Sequence, residues 1–135
     1  MNSPTPTEVF QQILTGIGAG DAQAMLGRCR DDVVFEFPFA PAGRPKRLEG
    51  KEAVGEYLAV IAADAVPDRL TNLEMHQTVD PEVAVIEFSV TGRVRDTDSP
   101  FARSYVVVLT VRDGLVVRYR DYWNPLDSLT AGSGT

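Results

Sequence analysis

The chain has 135 residues, 44% hydrophobic and 24% charged, which fits one globular domain with enough apolar material for a core that needs neither disulfides nor metal. Acidic residues number 19 against 13 basic, a net charge of −6, so no basic footprint for nucleic acid is present. One cysteine and one histidine exclude a disulfide framework, cysteine-based zinc sites and two-histidine metal motifs; neither metal nor cofactor is expected.

The first residues lack a positive segment followed by an apolar one, so no secretory signal is expected and a cytoplasmic location is the default. No apolar run reaches the roughly 18–20 residues that a membrane span needs. Thr5-Pro6-Thr7-Glu8 reads as a helix start, with Thr5 as N-cap and Glu8 closing a capping box. Val9, Phe10, Ile13, Leu14 and Ile17 follow at helical spacing. Gly16, Gly18 and Gly20 end that helix, and Asp21 can cap a second, short one carrying Ala22, Met25, Leu26 and Cys29. The run from Gly16 to Asp21 hints at a dinucleotide loop but ends in Asp and follows a helix, so it fails that test.

Residues 33–37 form a β-rich run, and the proline-rich stretch 38–47 reads as loop. A third helix is predicted over 50–63, with Val54, Tyr57, Leu58 and Ile61 as its apolar stripe. The period then falls to two. Strands are predicted near 70–79, 83–94, 101–112 and 115–124, with turns at Asp80-Pro81-Glu82 and Arg112-Asp113-Gly114. Helices first and an antiparallel meander last give an α+β class, with helices covering one face of a curved sheet. The ends, about 1–4 and 130–135, are expected to be disordered.

The last strand alternates between Val117, Tyr119, Asp121 and Trp123 on one face and Val116, Arg118, Arg120 and Tyr122 on the other. Asp121 therefore sits on the apolar face. An isolated carboxylate there must be paired, protonated or functional, and desolvation would raise its pKa into a useful range for acid/base work. A structural ion pair is the competing reading. A three-residue Arg112-Asp113-Gly114 loop places Tyr105 opposite Asp121 and Arg103 opposite Trp123; a two-residue Asp-Gly turn would put Ser104 and Val106 there instead. In the first register Arg103 could pair with Asp121 or meet an anionic substrate.

His76 falls opposite Ile86 on the inner face if 80–82 is a three-residue turn, where it could shuttle protons. Tyr57 could hydrogen-bond a ligand from the helix stripe. Phe35, Phe37, Phe88, Tyr119 and Trp123 read as core and pocket wall together, and Arg44-Pro45-Lys46-Arg47 as a solvated loop or an anion-attracting lid. Central strands apolar on both faces, with no helix left to cover the outer one, point to a homodimer through the sheet.

The element order, Gly20-Asp21 after the first helix, and Phe35-Glu36-Phe37-Pro38 followed by Glu49-Gly50-Lys51-Glu52-Ala53 resemble the NTF2-like superfamily and, within it, the SnoaL-like, ketosteroid-isomerase-like branch. The resemblance covers about residues 7–126. It implies a cone-shaped curved antiparallel sheet wrapped by three N-terminal helices, an α+β barrel around an apolar pocket, commonly dimeric. The stretch from Arg120 to Pro125 resembles the C-terminal motif of the phenazine-biosynthesis A/B proteins, and Thr78-Val79-Asp80-Pro81 their turn after strand two. That likeness implies an acid/base carboxylate at Asp121; the partner histidine position falls on Tyr57. The proton-moving positions of ketosteroid isomerase fall on Ile13, Phe37 and Val107, none of which can move a proton. SnoaL-type polyketide cyclases, with an acid/base aspartate on the last strand, are the better match.

Two readings follow. One is a cofactor-free isomerase, cyclase or dehydratase that uses Asp121, with Tyr57 or His76 assisting and Phe37, Phe88, Arg103, Tyr105, Tyr119 and Trp123 holding a polyketide-like or aromatic ligand. The other is a non-catalytic ligand-binding or dimerisation module of the same fold.

Overall fold

In the computed structural model, which describes residues 3–130, the Thr5 capping box forms in full. The Thr5 Oγ1 accepts from the Glu8 N–H and the Glu8 carboxylate accepts from the Thr5 N–H. Helix α1 runs Pro6–Gly18 and buries Val9, Phe10 and Ile13. Asp21 caps only a turn, accepting from the Gln23 N–H. The second predicted helix is reduced to one 3-10 turn, Leu26–Arg28.

Strand β1, Cys29–Glu36, starts four residues earlier than the apolar run because Asp31 and Asp32 break its pattern. The proline-rich loop ends in a short strand β2, Arg47–Glu49, where no strand is expected from the sequence; its pairing with β1 forms it. Helix α2, Lys51–Asp64, forms where predicted, with Val54 buried and Tyr57 and Leu58 packed against the core, but Ile61, expected in the same stripe, is exposed.

Strand β3 spans Ala65–Gln77, β4 Val83–Val94, β5 Pro100–Arg112 and β6 Leu115–Trp123. They form one open sheet in the order β2-β1-β6-β5-β4-β3. The pairing of β1 with β6 is parallel, so the sheet is mixed where the meander alone predicted antiparallel pairing. Pro67 hid the start of β3; it is tolerated because β3 lies at the sheet edge. A last helix α3, Pro125–Thr130, was not predicted. The helices thus number three, but one of them is C-terminal. Residues 1–2 and 131–135, within the ends expected to be disordered, lie outside the described residues; Pro4 packs beside Gly114.

The hairpin joining β5 to β6 sets which side chains face inward. Asp113 and Gly114 both have positive φ, 54° and 78°, and make a two-residue turn pairing Arg112 with Leu115. A bulge then shifts the ladder, so that Val111 pairs with Val116 but Thr110 with Arg118. The bulge restores the face assignment that a three-residue loop would have given. It also moves the partners by two: Asp121 faces Val107, and Tyr105 faces Trp123. Val116, expected on the outer face, is fully buried on the inner one.

The core lies between α1, α2 and the inner sheet face, with Phe10, Phe35, Phe37, Ile86 and Leu109 fully buried or nearly so. Gly92 of β4 is its tightest backbone contact. A Cβ there would stand 2.3 Å from the Val66 carbonyl oxygen and 2.8 Å from the Phe101 ring. Gly92→Ala is therefore expected to lower stability by about 2 kcal/mol or more. An unchanged urea-denaturation midpoint would contradict this close approach of β3 to β4.

Candidate functional site

Alternation along β6 carries Tyr119, Asp121 and Trp123 to the inner face. Parallel pairing sets Phe35 of β1 beside Tyr119, and their rings stack at 4.6 Å. On the other side β5 presents Phe101, Arg103, Tyr105 and Val107 inward. Phe88 of β4 stacks on Tyr105 at 5.0 Å and meets Phe10 of α1 at 5.6 Å. Across the concave side, Tyr57 of α2 lies 4.9 Å from the Phe37 ring. The sequence-predicted aromatics therefore converge on one region with Asp121.

Asp121 is 9% exposed and is the only polar or charged side chain in the buried set among the described residues. Its Oδ1 is buried and accepts no hydrogen bond. Burial alone pushes its carboxyl from 3.8 up to about 7. The expected pairing with Arg103 does not form: no salt bridge joins them, because Val107, not a residue near Arg103, is the strand neighbour of Asp121. The Arg103 Nε is itself buried without a partner, and the guanidinium lies 4.6 Å from the Phe101 ring.

Three phenols share this environment. Burial, reinforced by the Asp121 charge, pushes Tyr57 up to about 12 and Tyr119 well above the ordinary phenol value. Burial also raises Tyr105, opposed by the neighbouring Arg103. All three stay protonated at neutral pH and can donate a hydrogen bond to a developing oxyanion. Asp121 is then split between its two forms near pH 7, while the groups around it hold their protons.

His76 is a correction. The Thr78 N–H donates to the Val83 carbonyl, so residues 79–82 make the turn, one residue more than the predicted loop. His76 then pairs with Val85 and faces outward, while Met75 takes the inner position opposite Ile86. Half exposed, it meets Glu87 at 2.7 Å on the outer face, away from Asp121. Arg44 shows the opposite outcome. Loop folding brings its guanidinium to 5.9 Å from the Trp123 ring. Its only sequence signal was the basic run 44–47, whose other members go elsewhere: Lys46 donates to the Ala40 carbonyl and Arg47 to Glu36 and Glu49. Among the described residues, no cluster of three or more His, Cys, Asp or Glu side chains could hold a metal, and no helix is long and apolar enough to cross a membrane.

The raised carboxyl has a direct stability consequence. Below about pH 4 the Asp121 side chain is largely neutral in both folded and unfolded chains and carries no ionisation cost. As pH rises through the unfolded value near 4, the unfolded chain sheds the proton and the folded one keeps it. Stability therefore falls between about pH 4 and pH 7 and levels off above, by up to roughly 4 kcal/mol. Asp121→Asn is expected to match the parent near pH 4 and to exceed it at pH 8 by a few kcal/mol. Urea denaturation at the two pH values reads this, and a constant difference would contradict the buried, unpaired carboxyl.

Known proteins show the same frame. Residues 10–119 match the SnoaL-like domain family. The chain is 42% identical over 96 residues to the protein YesE of Bacillus subtilis, covering 71% of this chain and 65% of that one, so the matched part is just under two thirds of that relative. It is 33% identical over 127 residues to a PhzA/B-like protein of Pseudomonas aeruginosa, covering 94% and 89%. Among solved structures, a candidate isomerase of Bacillus subtilis superposes with TM-score 0.88 at 34% identity over 96% of this chain and 94% of that one. A candidate polyketide cyclase of Pseudomonas putida superposes with TM-score 0.82 at 20% identity over 97% and 100%. With the family match spanning most of the residues that build the sheet and its inner aromatic face, the chain belongs to the SnoaL-like domain family and has the NTF2-like fold.

Proposed function

We propose that this protein binds a planar, largely apolar metabolite, polyketide-like or aromatic, against the inner sheet face and moves one of its protons with Asp121. The observation that carries this reading is a buried carboxyl whose Oδ1 has no partner, set among aromatic side chains. An orphaned buried acceptor costs on the order of 1–3 kcal/mol. A ligand C–H or O–H placed there would offset that cost. Titration near 7 leaves both forms populated at neutral pH, so the same group can take a proton and return it.

In the simplest step, the Asp121 carboxylate removes a proton from the carbon beside a ligand carbonyl. The C–H electron pair becomes the enolate π bond, and the carbonyl π pair moves to oxygen. The Tyr57 and Tyr105 hydroxyls are the donors for that oxygen. Returning the proton at a different atom isomerises the ligand; attack of the enolate carbon on a second carbonyl closes a ring. The relatives with isomerase, cyclase and PhzA/B-like names support chemistry of this class. Binding without turnover is the second reading. The position where phenazine A/B proteins carry a histidine holds Tyr57 here, which keeps its proton to about 12 and cannot act as a neutral-pH base.

Proton exchange tests the two readings without knowledge of the natural substrate. The probe is 2-tetralone, an enolisable bicyclic ketone, in deuterated buffer, with α-deuteration followed by NMR and binding by thermal shift. Exchange is expected to accelerate with pH and to reach half its plateau near pH 7. Asp121→Asn should keep binding and lose exchange by about 100-fold or more. Binding with equal exchange in both proteins would eliminate Asp121 as the base and leave the binding module.

We also propose a homodimer through the outer sheet face. Val34, Val85, Val106 and Val108 lie there, Val106 37% exposed, while α1 and α2 pack on the opposite face. Light scattering should give twice the chain mass, and Val106→Glu should give the monomer; a monomeric parent protein would refute the interface.

A further inference from the structure

Most arginines of this acidic chain already have carboxylates. Arg30 pairs with Asp32, Arg47 with Glu36 and Glu49, Arg93 with Asp98, Arg112 with Glu82, and Arg118 and Arg120 with Glu36. Five have none among the described residues: Arg28, which donates to Gln12, Arg95, which donates to the Ala62 and Ala63 carbonyls, the exposed Arg69, and Arg44 and Arg103, the two that meet inner-face aromatic rings. Arg103 is on the inner face of β5, half buried, with a buried Nε that donates to nothing and with its guanidinium held over the Phe101 ring. Arg44 reaches the same region from the loop before β2, over the Trp123 ring. Arg103 faces inward on β5 and Arg44 lies over the inward-facing Trp123, so both stand on the concave side, where both charges are felt at Tyr57 on α2. A guanidinium with an unsatisfied buried Nε–H, seated over an aromatic ring and hydrogen-bonded to the Tyr105 hydroxyl, is organised for a planar anion and loses little freedom on meeting one.

We propose that Arg103, assisted by Arg44, is an anion subsite that takes the carboxylate of an aromatic acid whose ring system extends over Tyr105 toward Asp121. The spacing sets the ligand size. Asp121 faces Val107, and Arg103 lies four residues along β5 on the same face, about 13 Å away at the rise of a strand. A bicyclic or tricyclic acid spans that interval, with its carboxylate at one end and its reacting carbon at the other. Tyr105, midway and stacked on Phe88, supplies the platform. The negative charge of the whole chain makes this local cationic mouth the feature that selects acids over neutral analogues. The subsite rests on the ligand-binding reading above and sharpens it to aromatic carboxylic acids.

The test compares 2-naphthoate and anthracene-2-carboxylate with their methyl esters by calorimetry at pH 6, where the ligands are ionised and Asp121 is mostly protonated. Each acid should bind the parent protein about 10-fold or more tightly than its ester. Arg103→Gln should erase that preference and leave ester affinity within about 2-fold, whereas Arg103→Lys should keep part of it. Equal affinity for acid and ester in the parent, or a preference that survives Arg103→Gln, would overturn the subsite and leave the binding face standing. Failure of acids and esters alike to bind would overturn the binding reading, and the subsite with it.

Discussion

Burying Asp121 works against the fold. Its carboxyl gives up hydration and gains no ion pair, and Oδ1 gains no hydrogen bond. The apolar contacts around it have to outweigh that loss. Phe35 stacked on Tyr119, Tyr57 against Phe37, and Tyr105 on Phe88 supply a dense aromatic surround, each ring removing well over a hundred square ångströms from water as a rough guide. The same rings that make the carboxyl costly also make it useful, because water is kept off it and its proton is held near neutrality.

A second carboxylate in the same sheet shows how easily that cost could have been avoided. Glu36, on the outer face of β1, accepts from Arg118 and Arg120 through Oε1 and from Arg47 through Oε2. Outer-face alternation on β6 delivers those arginines at every second position, so Glu36 is saturated. One residue over, the same alternation delivers Tyr119, Asp121 and Trp123 inward, with no guanidinium in reach of the aspartate. Two arginines without carboxylate partners, Arg103 and Arg44, lie instead on the concave side, over the Phe101 and Trp123 rings. Separating the buried carboxyl from the guanidiniums leaves each without the partner that a mutual salt bridge would give it, which is what the proposed ligand site requires.

Local chemistry made much of this legible. The Thr5-Pro6-Thr7-Glu8 box, the α2 stripe as far as Leu58 and the two-fold alternation of β4, β5 and β6 beyond its bulge each depend on residues near one another in sequence, and each appears in the fold. Tyr57, Phe37, Phe88, Tyr119 and Trp123 reach the concave side as period alone suggests, and Tyr105 joins them once the bulge in the β5–β6 ladder sets its face. Pairing was harder. His76 and Arg103 depended on turn length, and one extra residue in the 79–82 turn sent the histidine outward. The bulge after Val116 has no signature in the run Leu115-Val116-Val117, where any of the three could be inward.

Sequence alone was enough for the α+β class, the alternation within each strand and the place of Asp121 between Tyr119 and Trp123 on one face, since these follow from propensity and periodicity over short distances. Only the tertiary fold sets β1 parallel to β6, Asp121 opposite Val107 rather than Tyr105, and Arg44 and Arg103 over the Trp123 and Phe101 rings without an ion pair to the aspartate. These outcomes rest on contacts between residues far apart in the chain, where a bulge or a turn of one residue changes every partner beyond it.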